Sequence, residues 1–384
     1  MRYLTSGESH GPQLTAIIEG IPAGLLLTEE MINQELAQRQ KGYGRGGRMK
    51  IETDKVQILG GVRHGITLGS PITLVILNKD AANWGQVMSP QPVSDLEYEE
   101  KKVPRPGHAD LVGGIKYGHR DLRNVLERSS ARETAIRVAV GAVAKQLLKQ
   151  LDIDILAHVV QIGRVKCEPL KPQKINEMRH QIKNSLVSCA DANVSEQMCQ
   201  HIDEAKAQKD SLGGIVEIIA ENMPLGLGSY VHYDHKLDAK LSAAVMSVQS
   251  VKGIHFGDAM YASAHFGSEV HDQITYDNGF SRQTNTYGGI EGGMTNGMPI
   301  VMKAFIKPIP TLYKPLNSVH IDTKAVEPSM IERSDTCVVP AAGVVLEAVV
   351  AIELAKVILE TFHSDQMSVL KQQVATYREA VNTY

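Results

Sequence analysis

The chain has 384 residues, 43 % hydrophobic and 22 % charged, ordinary values for a soluble globular protein of one large domain or two to three smaller ones. Its 40 basic and 43 acidic residues leave a net charge of −3, which argues against a polycation built to hold a polyphosphate. Any attraction for anions therefore has to be local.

In chain order, β-branched runs bounded by Gly and Pro predict strands at 14–19, 51–59, 72–77, 153–160, 215–221 and 300–306. Apolar residues at helical spacing predict helices at 28–41, 130–151, 174–186, 195–209, 235–250, 342–362 and 364–381. At the second helix, Ser130-Ala-Arg-Glu133 matches a capping box, in which hydroxyl and carboxylate satisfy opposite orphan amides. The apolar region 338–359 is interrupted by Glu347, Glu353 and Lys356 and reads as a buried helix, not a membrane span. The N-terminus, MRYLTSGESHGPQL, has no apolar core of signal-peptide length. Cys167, Cys189, Cys199 and Cys337 form no C-x-x-C pair, which suits a reducing compartment. The expected location is the cytoplasm.

Two patterns recur in the same order. Ile17-x4-Pro22-x-Gly24-Leu25 returns as Ile219-x4-Pro224-x-Gly226-Leu227, and Gly60-Gly61-x3-Gly65 returns as Gly292-Gly293-x3-Gly297. They suggest one α+β domain over 1–384, made of two similar halves, 1–165 and 211–384, with a helical insertion near 166–210.

Chemistry is concentrated in glycine- and proline-marked loops. GESHG at 7–11 holds His10 at a loop tip, where an imidazole can donate a proton near neutrality; the plain alternative is a turn with a surface histidine. RQKGYGRGGRMK at 39–50 packs five cations and four glycines into twelve residues, with no acidic side chain between Glu35 and Glu52. RPGHAD at 105–110 fixes Arg105 and His108 on one turn. ERSSARET at 127–134 gathers hydroxyls and two arginines at a helix start, where the dipole favours anions. KPIPT at 307–311 is a stiff extended segment, and RSDTCVVP at 333–340 leads Asp335 into an apolar helix. His232-Tyr-Asp234-His235 invites a metal reading, though a capping or surface role explains it as simply. No phosphate-binding P-loop and no strand-linked G-x-G-x-x-G is present.

Taken together and in this order, these motifs, with GGIEGGMTNGMPI at 288–300, resemble the chorismate synthase family over essentially the whole chain. The resemblance implies a β-α-β sandwich with helices between two antiparallel sheets, internal pseudo-two-fold symmetry and assembly as a homotetramer. It implies a lyase that removes phosphate and a ring hydrogen from 5-enolpyruvylshikimate 3-phosphate in a 1,4-anti elimination, giving chorismate. The cofactor implied is reduced FMN, with NADPH or an external flavin reductase as the source of reduction; no metal, nucleic acid or membrane partner is implied. By the same resemblance, His10 protonates the departing phosphate, His108 protonates or stabilises the reduced flavin, and Asp335 assists ring deprotonation near the flavin N5. Arg39, Arg45, Arg48, Arg105, Arg132 and Arg333 face the substrate. The flavin contacts Arg128, Ser129, Ser130, Gln249, Ser250, Gly292, Lys307, Pro308, Ile309, Pro310, Thr311 and Arg333. Gln249-Ser250 stands where the family more usually has Asn-Ala.

Two other readings compete. The arginine-glycine run alone would suit an RNA-binding protein with salt-dependent affinity, against which stand the net charge and 5 % aromatic content. His232, Asp234 and His235 would be the ligands of a metal-dependent phosphohydrolase.

Overall fold

A computed structural model describes residues 1–46, 53–94, 97–168, 175–277, 279–332 and 334–384, with backbone alone at 175–178. Arg48 and Arg333 lie outside the described residues.

Alternation of apolar and polar side chains builds the two main sheets. The first contains β1 (Arg2–Ser6), β2 (Gln13–Glu19), β3 (Val56–Gly60) and β4 (Ile72–Leu77), in the order β1-β2-β4-β3. The second contains β5 (Asp154–Ile162), the two-residue β6 (Val165–Lys166), β7 (Gly214–Glu221), β8 (Val251–Phe256) and β9 (Ile300–Ile306), in the order β8-β9-β7-β5-β6. Every neighbouring pair in both is antiparallel. In β9, Ile300, Met302, Ala304 and Ile306 are buried while the residues between them are half-buried, so one face is turned to the core.

Helices fill the space between the sheets. Among the described residues the helices of seven or more residues are α1 (Glu29–Gln40), α2 (Asp110–Tyr117), α3 (Arg123–Ser129), α4 (Thr134–Lys149), α5 (Ile175–Asn184), α6 (Ala192–Ala207), α7 (Leu237–Met246), α8 (Val339–Thr361) and α9 (Met367–Asn382), and of these α4 and α8 bridge the two sheets. Helix α4 packs on α1 and on β2 and β4, and its other side meets α8, which rests on β5 and β7. Because α8 is enclosed by helices and a sheet, it is apolar nearly all round and begins with Pro340 in its first turn. At the α4–α8 contact only glycine fits at 141, since a Cβ there would sit 2.3 Å from that of Ala348. No helix among the described residues is long and apolar enough to cross a membrane.

Leaving β6 aside, the sheets share one connectivity: first, second, fourth and third strand side by side. The loops after their second strands match atom for atom. Thr67 donates to the Pro22 carbonyl at 2.6 Å and accepts from the Leu25 amide at 2.9 Å. Thr295 donates to the Pro224 carbonyl at 2.6 Å and accepts from the Leu227 amide at 2.8 Å. We propose on this ground that 1–165 and 211–384 are two copies of one unit, the helices α5 and α6 lying in the segment between.

Several expected boundaries move. Of the strand expected over 51–59, residues 51 and 52 lie outside the described residues, and the described part is strand from Val56, residues 53–55 standing apart as Asp54 turns inward to two arginines. The capping box expected at Ser130 and Glu133 does not form. Ser130 caps a single 3-10 turn by accepting from the Arg132 amide at 3.2 Å, and Glu133 instead binds the Gln249 amide at 2.8 Å. Helix α4 proper starts at Thr134.

Candidate active site

Ends of elements from both sheets converge on a cavity of about 560 Å³. The β1–β2 loop supplies His10, the end of α1 supplies Arg39, and the turn before α2 supplies Arg105 and His108. The α3–α4 junction contributes Ser129, Ser130 and Arg132; the α7–β8 turn adds Gln249 and Ser250. Lys307, Ile309, Pro310 and Thr311 follow β9, while Asp335 precedes α8, whose first turns give an apolar wall of Ala341, Ala342 and Val345.

Each histidine is held from behind by a carboxylate. His10 Nδ1 lies 2.8 Å from Glu127, which also accepts the His10 amide at 2.8 Å. Burial works to raise the Glu127 pKa, but hydrogen bonds and charge from His10, with a further bond from Arg123, hold it below the usual carboxylate range. Trp84 packs tilted on the His10 ring at 4.2 Å between centroids. His108 Nδ1 lies 2.6 Å from Asp110, whose two oxygens also accept from Arg105 at 2.8 and 3.0 Å. Burial would raise Asp110 too, yet the bonds from His108 and Arg105 hold it well below its ordinary value.

The arginines form a buried cationic wall. Arg132 binds Asp54 at 2.6 Å and Asn78 at 2.8 and 3.1 Å, while Arg39 reaches Asp54 at 3.5 Å and Thr134 at 3.0 Å. Full burial lowers the Arg39 pKa to about 10; Asp54 opposes this, and the neighbouring charges of Arg45 and Arg132 add to it. A site that crowds cations out of water in this way favours a multiply charged anion. Asp335 is clasped by the Gly46 amide at 2.5 Å and by Arg45 at 3.1 Å.

Among the expected flavin residues, Lys307 ties its loop to the Gly107 carbonyl at 2.5 Å, and Thr311 accepts from Arg105 at 3.0 Å. Ser250 adopts φ of +70°, so the Gln249–Ser250 turn is held in an uncommon conformation for a residue with a side chain. Arg128, Gly292 and Pro308 do not line the cavity. Arg128 points instead to Thr5 and Gly7, and Gly292 sits in the turn of a two-stranded hairpin. Sequence reasoning gave no role to Glu127 and Asp110, although both lie inside quoted motifs, and it passed over Trp84, Arg123, Asp54 and Asn78. A carboxylate two residues from His108 was a usable signal. Nothing local links Glu127 to His10, which are 117 residues apart.

A family model described as chorismate synthase matches residues 1–359. A protein named chorismate synthase 2 from Bacillus cereus is 57 % identical over 385 residues, covering 99 % of both chains. The chain belongs to the chorismate synthase family. A Bacillus anthracis protein named chorismate synthase 1 is likewise 57 % identical over 99 % of both chains. The fold agrees: a crystal structure titled as chorismate synthase superposes with a TM-score of 0.81 at 41 % identity, covering 100 % of this chain and 98 % of that one. The α+β architecture of helices between antiparallel sheets is thus the chorismate synthase fold. His232, Asp234 and His235 are exposed and absent from the cavity wall, and no group of three or more metal-ligand side chains converges among the described residues.

Proposed function

We propose that this member of the chorismate synthase family converts 5-enolpyruvylshikimate 3-phosphate to chorismate by eliminating phosphate and a ring hydrogen, with reduced FMN as cofactor. The observation that carries the reading is the convergence of His10, His108, Asp335 and four arginines on one cavity with an apolar wall. A substrate with two carboxylates and a phosphate needs such a wall, since each charged hydrogen bond is worth about 1.5–3 kcal/mol net.

The cavity also suits a flavin ring. Gln249 Oε1 is buried with no hydrogen-bond partner among the described residues, an acceptor for a ring N–H, and Ala341, Ala342 and Val345 offer flat apolar contact. Reduced FMN, when bound, supplies a transient electron and takes part in proton removal. Ser129, Ser130, Gln249, Ser250, Lys307, Ile309, Pro310 and Thr311 would hold it, with Pro308 keeping the segment stiff. Arg128 and Gly292 stand outside the cavity wall and join this set only on the resemblance.

The protein's own groups do the rest. Arg39, Arg45, Arg105 and Arg132 bind and orient the polyanion and exclude water, which strengthens every contact inside. His10 gives a proton to the departing phosphate oxygen, and His108, backed by Asp110, protonates or stabilises the reduced ring. Asp335, held by the Gly46 amide and Arg45, assists removal of the ring proton. A cytoplasmic location, a homotetramer, and reduction by NADPH or an external flavin reductase complete the proposal.

The test is anaerobic incubation of folded protein with 5-enolpyruvylshikimate 3-phosphate and chemically reduced FMN. Chorismate and inorganic phosphate are expected in equal amounts; no chorismate refutes the reading. NADPH consumption without added reductase separates the two sources of reduction.

A further inference from the structure

Helix α3 directs Glu127 at the rear of His10, and three observations converge there. The first is chemical. An ionised carboxylate only accepts hydrogen bonds, so the 2.8 Å contact requires that His10 Nδ1 carry the proton. Nε2 is then the ring nitrogen left to exchange a proton with the cavity that His10 lines. The second is that Glu127 is fixed on its own account. Arg123 donates to it at 2.9 Å, and Arg123 is itself held by the Tyr98 hydroxyl at 2.7 Å. The third is a stack that stops the ring from turning: the Arg123 guanidinium lies 4.7 Å above Trp84, which packs on His10.

We propose that Glu127 is the positioning residue of His10, fixing the Nδ1–H tautomer, directing Nε2 to the departing phosphate and balancing the charge of the imidazolium. The proposal rests on the reading of His10 as proton donor. In the step it supports, the Nε2–H bond breaks and an O–H bond forms on the leaving phosphate oxygen. The imidazolium becomes the neutral Nδ1–H ring, the tautomer that Glu127 already stabilises, so no rotation or second proton shift is needed. Glu127 stays ionised throughout, in keeping with its depressed pKa.

The contact is tested first in the unaltered protein. ¹⁵N spectra of histidine-labelled protein, with the His10 signals assigned by loss in His10→Gln, are expected to show neutral His10 protonated at Nδ1; protonation at Nε2 overturns the proposal. This measurement needs no turnover, so it stands apart from failure of the functional reading, which would appear as absence of chorismate from the parent enzyme. Kinetics then read the consequence. Glu127→Gln is expected to lower kcat by roughly 10²-fold with KM nearly unchanged, the signature of a transition-state contact, and Glu127→Asp to recover much of the loss. A Glu127→Gln enzyme with parental kcat, or one whose only defect is in KM, overturns the proposal.

Discussion

Arg39, Arg105 and Arg132 are each 7 % exposed or less, yet all three border the cavity. Buried guanidinium groups need counter-charges, and Asp54 and Asp110 provide them. The arginine motifs were legible in the sequence, and Asp110 was within reach five residues from Arg105; Asp54 was not, because it and Arg132 are 78 residues apart. The proton-handling groups differ in kind, since their removal should spare binding. His10→Ala and Asp335→Ala are each expected to slow turnover about 10²–10⁴-fold while FMN still binds. Flavin fluorescence titration beside single-turnover kinetics checks this, and near-parental rates would remove the residue from the mechanism.

Elements with a clear apolar period were readable, and those without were not. Strand β9 and helix α1 appear close to their expected bounds because their buried faces repeat at the period of the element, and β4 because it is a short apolar run with Leu74, Val75 and Ile76 all buried. Helices α2 and α3 escaped. Helix α2 turns Leu111, Val112 and Ile115 outward, so no inward period exists to be read. Strand β8 carries Lys252, Gly253 and His255, and β1 is a short edge strand that buries none of its residues fully. The repeated Pro-x-Gly-Leu loops were visible, but their hydroxyl partners lie 45 and 71 residues away and were not. Thr67→Val and Thr295→Val test whether the loops are equivalent. Each should cost about 1–3 kcal/mol in urea unfolding, and the double variant should show their sum. A large cost in one loop and none in the other would separate them.

At the scale of the whole molecule, the carboxylates behind the histidines make the fold sensitive to acid. Glu127 and Asp110 titrate lower in the folded protein than in the unfolded chain. Their contribution is therefore complete above the ordinary carboxylate range near about pH 4 and is lost as the pH falls below it. Thermal melts should show Tm dropping steeply on acidification below that range. Asp110→Asn should have a lower Tm at neutral pH and a shallower drop; equal slopes would place the acid sensitivity elsewhere. Glu347 acts in the opposite sense. Burial raises its pKa against the pull of Lys145, so protonation relieves a cost instead of imposing one.

The shared strand order has a last consequence. His10, Arg39, Arg105 and Arg132 belong to the first proposed copy, and Gln249, Lys307, Thr311 and Asp335 to the second. Neither copy holds both the anion-binding wall and the carboxylate that would act on the ring. An unduplicated forebear would have had to meet a second molecule of itself to close the same chamber. Fusion of two such copies would leave each side of the seam free to specialise, the first supplying the arginine wall and the second Asp335.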